Sequence, residues 1–120
     1  MRVLVCGSRH FKDYRRLEDI LDAIGREKKI DTIIHGMARG ADQLGAEYAR
    51  AHKIDLLEFP ALWDTYGRRA GPIRNAQMLK EGQPDLVVAF LFPGSRGTKH
   101  MIDISKKAGV PVMVINCTEE

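Results

Sequence analysis

The segment that most constrains this chain runs from Pro84 to Gly109, PDLVVAFLFPGSRGTKHMIDISKKAG. Leu86 to Phe92 contains no polar residue, which suits a strand covered on both faces, and its core is read as Leu86 to Phe90. A tight turn, Pro93 to Thr98, follows, and then Thr98 to Lys107 carries Met101, Ile102, Ser105 and Ala108 at helical spacing. Gly109 suits the helix end. Buried strand, glycine turn and helix start together make a binding element for an anionic or carbonyl-bearing ligand. The first amides of a helix have no partner inside it and point outward.

A second turn of this kind, Gly7-Ser8-Arg9, follows the apolar run Met1 to Cys6. Between the two turns the chain alternates strand and helix signals. Asp13 is a candidate cap for a helix carrying Leu17, Ile20, Leu21 and Ile24 on one stripe. Asp31 to His35 reads as the second strand, and Gly36 to Asp42 as a slim turn. Gln43 to Lys53 continues as helix with Leu44, Tyr48 and Ala51 inward, before a third strand, Ile54 to Phe59. Pro60 to Pro72 has no clear period and reads as a flap, a dimer contact or a small core around Trp63. Pro72 suits the first turn of a helix over Ile73 to Lys80, and Pro111 to Ile115 is the last strand, followed by a polar tail, Thr118 to Glu120.

Repeated strand, helix, strand spacing predicts right-handed crossovers and a Rossmann-like, doubly wound parallel sheet of about five strands with helices on both faces. The expected order is third, second, first, fourth, fifth. The order then reverses between the first and fourth strands, which carry the two glycine turns. Ligands of such sheets sit outside the carboxyl ends of the strands at that reversal.

At 120 residues the chain suits a single domain over positions 1–120, and 44% hydrophobic with 29% charged residues excludes disorder. The net charge is +3, but Arg9, Arg39, Arg68, Arg69, Arg74 and Arg96 all fall in expected loops or helix starts. Convergence of several on one rim would favour a phosphate-bearing ligand. Cys6 and Cys117 read as small buried hydrophobes. With no apolar leader, membrane-length apolar run or cluster of metal ligands, the expectation is a cytoplasmic protein with no membrane partner, metal or cofactor.

The candidate ligand-binding residues are Gly7, Ser8, Arg9, His35, Gly36, Asp42, Arg74, Asn75, Pro93, Gly94, Ser95, Arg96, Gly97 and Thr98. His35, at a strand end, reads as a base, a ribose or phosphate contact, or a capped core histidine. Asp42 reads as a helix cap, a ribose ligand or a residue that orients water. With His100 these two are the catalytic candidates if the protein is an enzyme. Trp63 and Tyr66 suit either base stacking or packing. Neither glycine turn is a Walker motif or a dinucleotide fingerprint, and Ser8 lacks the setting of an activated nucleophile.

GSR at 7–9, HGMARGAD at 35–42, GPIRN with Met78, and AFLFPGSRGTKHMI at 89–102 together resemble the SLOG superfamily, and within it a small YspA-like branch of phage and bacterial proteins. The resemblance implies a Rossmann-like domain that binds a nucleotide or a nucleotide-derived small molecule. LOG-type relatives, which release the base from nucleoside monophosphates, resemble this chain around PGSRGT. Their motif, Pro-Gly-Gly-x-Gly-Thr-x-x-Glu, places Ser95 at its second glycine and Met101 at its catalytic glutamate. A methionine cannot move a proton, so the phosphate-binding half is kept and the hydrolytic half is missing. DprA-like relatives imply single-stranded DNA, a weaker expectation because no aromatic platform repeats along the chain. The expected function is binding or sensing at the ends of the first and fourth strands. The alternative is a nucleotide-processing enzyme that cleaves an N-glycosidic or phosphoester bond. Apolar helix faces and the family's habit add a homo-oligomer as an expected state.

Overall fold

The computed structural model describes residues 1–118, so the last two residues of the expected polar tail lie outside the described residues. Five strands form one parallel sheet: β1 (Arg2–Gly7), β2 (Thr32–His35), β3 (Asp55–Glu58), β4 (Leu86–Leu91) and β5 (Val112–Asn116). Their order is β3-β2-β1-β4-β5, the order the sequence predicts. Five α-helices alternate with them: α1 (Tyr14–Glu27), α2 (Ala41–Ala51), α3 (Trp63–Tyr66), α4 (Ala70–Gly82) and α5 (Arg96–Lys107).

The two-residue period of a strand divides the core in two. Val3 and Val5 of β1, Ile33 of β2, and Val88 and Phe90 of β4 face Leu17, Leu21, Tyr48 and Ala49 of α1 and α2. Leu4, Cys6, Ile34, Val87 and Ala89 face Met78 of α4 and Met101 and Ile102 of α5. Burying two apolar faces is why β1 and β4 read as unbroken hydrophobic runs. On the first face Phe11 stacks on Phe90 with ring centroids 4.4 Å apart, and Tyr48 Oη donates to Asp22 Oδ1 at 2.6 Å, tying α2 to α1. Both cysteines are buried and free.

Asp13 caps α1, its Oδ1 accepting from the Arg16 amide at 3.1 Å, and the helix extends past the Leu17-to-Ile24 stripe at both ends. Three local expectations are corrected. Ala51 ends α2 exposed, and Ala108, beyond the last residue of α5 and just before Gly109 (φ 75°), is exposed too. The 60–72 stretch is not irregular: it holds α3, a 3-10 turn over Gly67–Arg69, and the first turn of α4, which starts before Pro72 because a first-turn proline loses no hydrogen bond. It also holds no small core, since α3 buries none of its residues and Trp63 is 59% exposed.

Candidate functional site

β1 and β4 lie side by side, with Cys6 opposite Ala89 and Gly7 opposite Phe90. The chain leaves β1 toward the α1–α2 face and leaves β4 toward the α4–α5 face, so a gap opens beyond their carboxyl ends. A cleft of about 760 Å3 fills it. Its floor is Cys6, Met78 and Met101, and its walls are Gly7-Ser8-Arg9, the first turns of α4 and α5, and Pro93 to Gly97.

The β4–α5 turn supplies amides. Gly94 takes φ 79°, a left-handed conformation that favours glycine, and lets the chain reverse into α5. Ser95, at the cap position, makes no side-chain bond to the helix backbone, and its hydroxyl instead lies 3.1 Å from that of Thr98. The amides of the first α5 turn are therefore uncapped by side chains at the cleft wall. Gly97 does not have a positive φ, and a Cβ built on it would meet no atom within 4 Å. Neither backbone nor packing requires a glycine there. Its bareness leaves open the space in front of those amides.

The opposite turn is held from within. The Ser8 amide donates to the Phe90 carbonyl at 3.1 Å, and the Ser8 hydroxyl accepts from the His10 amide at 3.1 Å. Gly40 (φ 76°) packs so closely on Ser8 and Arg9 that a Cβ would overlap their backbone, which locks the start of α2 to the β1 turn. Ser8 is accordingly buried, while Arg9 is exposed at the rim.

Asp42, 4% exposed, lines the cleft and also folds the turn before it. Its Oδ2 accepts from the Gly36 amide at 2.8 Å and from the Ala38 amide at 3.4 Å. Burial pushes its carboxyl up to about 6, against the opposing pull of the Gly36 amide and the Arg74 guanidinium. Arg74 reaches from α4 to donate to the Gly36 carbonyl, and its Nε donates to Asn75 Oδ1 at 3.0 Å. Asn75 is buried and spans to α5, where its Nδ2 lies 3.1 Å from His100 Nδ1 and 3.4 Å from the Gly97 carbonyl. A continuous polar chain thus runs from the β2 turn through α4 to the first turn of α5.

His35 takes a different place. Its ring is 2% exposed and does not line the cleft. Nδ1 accepts from the Met37 amide at 3.1 Å, so the proton of the neutral ring sits on Nε2. Nε2 lies 3.0 Å from Glu58 Oε2 at the end of β3 but is poorly aligned for a hydrogen bond. Burial holds the imidazole below its ordinary value, with Glu58 opposing. His35 therefore shapes the turn at the end of β2, and Gly36 likewise acts from behind the wall. The other twelve sequence candidates line the cleft, as does His100.

Of the six arginines singled out in the sequence, Arg9, Arg68, Arg74 and Arg96 line the cleft, and Arg39 and Arg69 do not. Sequence reasoning missed the apolar floor and the lining at Phe92 and Gly71, because such residues carry no chemical signature until the topology brings them together. Among the described residues no three histidine, cysteine or acidic side chains converge to hold a metal, and no helix is long and apolar enough to cross a membrane.

A profile of the YspA, cpYpsA-related SLOG family matches residues 1–66. The chain belongs to this family. Gene 61 protein of Mycobacterium phage D29 is 36% identical over 118 residues, covering 93% of this chain and 94% of that protein. The profile match ends before the β4–α5 turn, whereas the match with the phage relative extends over nearly the whole chain. No solved structure matches the chain. SLOG membership points to nucleotide-related ligand binding or processing in general.

Proposed function

We propose that this SLOG protein binds or senses a nucleotide or nucleotide-derived small ligand, with the ligand's phosphate on the first turn of α5. The observation that carries the reading is the pairing of uncapped α5 amides with a bare Gly97 inside a cleft rimmed by Arg9, Arg68 and Arg96. Amides at a helix start carry about half a unit of positive charge between them, and arginines add forked, charge-assisted bonds to phosphate oxygens. Met78 and Met101 give the cleft an apolar floor, as small-ligand sites commonly have.

The test is a thermal-shift titration against AMP, ADP-ribose, NAD, cyclic nucleotides and a short single-stranded oligonucleotide. A ligand that binds only the folded state raises the midpoint with its concentration. A rise with a nucleotide and none with the oligonucleotide supports the reading. The reverse pattern moves the protein to the DNA-binding relatives.

One observation favours nucleotide processing as a second reading: Asp42, buried and raised to about 6, sits in the cleft wall near the range of a general acid or base. Release of free base or phosphate from a bound nucleotide, lost in Asp42→Asn, would carry it.

A further inference from the structure

Trp63 is the only tryptophan of the chain and, at 59% exposed, the most exposed of its large apolar side chains. The fold does not use the ring. α3 is four residues long, buries none of them, and contributes nothing to either core cluster. The ring instead lines the cleft, and its edge leans on the first turn of α4, where a Cβ built on Gly71 would stand 3.4 Å from Cη2. Asn75, on the same helix, touches the first turn of α5 at Gly97 and His100. Gly71 and Asn75 are one helical turn apart, a rise of about 6 Å. The indole and the uncapped first turn of α5 thus line one cleft, linked through the first turns of α4.

We infer that Trp63 is the stacking platform for the ligand's base, so that the cleft takes a nucleoside 5′-phosphate, with its base on the indole and its phosphate on α5. This inference rests on the phosphate reading above and adds the chemical class of the ligand's other end. An indole face stacks on any base and discriminates weakly among them, so affinity should come from having a base more than from which base it is. Leu62, Tyr66 and Ile73 are also exposed nearby but do not line the cleft, and they mark the competing use of Trp63, a contact between two copies of the chain.

Intrinsic fluorescence excited at 295 nm reports on Trp63 alone. AMP, GMP, CMP and UMP should each change the emission saturably, at concentrations matching their thermal shifts. Ribose 5-phosphate should raise the melting midpoint without changing the emission. Trp63→Ala should weaken AMP about ten-fold or more while leaving the affinity for ribose 5-phosphate within two-fold or so of wild type. Equal binding of AMP and ribose 5-phosphate, with unchanged emission, overturns the stacking role and leaves the phosphate site standing. Emission that varies with protein concentration and not with nucleotide assigns Trp63 to self-association and likewise overturns it. No thermal response to any of the five compounds overturns the inference, and a response to ADP-ribose, NAD or a cyclic nucleotide in the same assay would leave the phosphate reading standing without it.

Discussion

The guanidinium of Arg74 occupies the space in which a side chain at Gly36 would stand. A Cβ built there falls within 2.9 Å of Nη1, Cζ and Nε, and Arg74 also donates to the Gly36 carbonyl. The glycine is therefore kept for the arginine, not for its backbone angles, since it has no positive φ. The clashing atoms are the far end of a flexible chain that can swing away. Gly36→Ala should cost on the order of 1 kcal/mol, a melting shift of roughly 4 °C, while weakening AMP about ten-fold as Arg74 leaves the cleft wall. Calorimetric titration beside a melting curve checks this. An unchanged affinity would mean that Arg74 serves the fold alone.

Arg9 presents the opposite case. It is exposed at the rim, whereas its neighbour Ser8 is buried and bonded into the turn. Arg9→Ala should weaken nucleotide binding by about ten-fold and move the melting midpoint by no more than a degree or so. Comparable losses in both would make Arg9 a structural residue.

Asp42 gives stability a pH dependence of known sign. Its folded value, about 6, lies above the unfolded value, so between these the folded state holds the extra proton. Its contribution is fully favourable below the unfolded value and is lost as pH rises from about 4 to 6. The full effect is on the order of 3 kcal/mol. Asp42→Asn keeps an oxygen for the Gly36 amide and removes the charge. Urea unfolding should therefore show the wild type losing ground to Asp42→Asn as pH rises through that window. Parallel stability curves for the two proteins would rule out a buried ionisation at this position.

The sheet was legible because its strands signal themselves. Leu86 to Leu91 and Val3 to Cys6 are apolar on both faces, and the helices between them keep the strands parallel. The positions of the glycine turns followed from that topology. α4 was harder to read because its inner face carries Arg74 and Asn75 as well as Met78, and polar residues aimed at a cleft break the apolar stripe that marks a helix. α3 lacks the signal entirely, having no buried face. His35 and Asp42 have one residue-level signature and two different places. One nitrogen of His35 and one oxygen of Asp42 close the same β2 turn, but only Asp42 reaches the cleft, and that depends on which side of the turn each backbone faces.

Gly97 offers the most direct test of a phosphate on α5. Its place is open, its φ is ordinary, and a larger residue in the first helical turn improves helix propensity by up to about 1 kcal/mol. Gly97→Leu should thus melt at or above the wild-type temperature while its side chain fills the approach to the α5 amides. The measurement is calorimetric titration of AMP into wild type and Gly97→Leu, with the melting midpoint of each taken alongside. The predicted result is saturable binding to wild type and a loss of 100-fold or so in the variant, without loss of stability. Equal affinity in the two proteins would place the ligand away from the first turn of α5 and contradict the account.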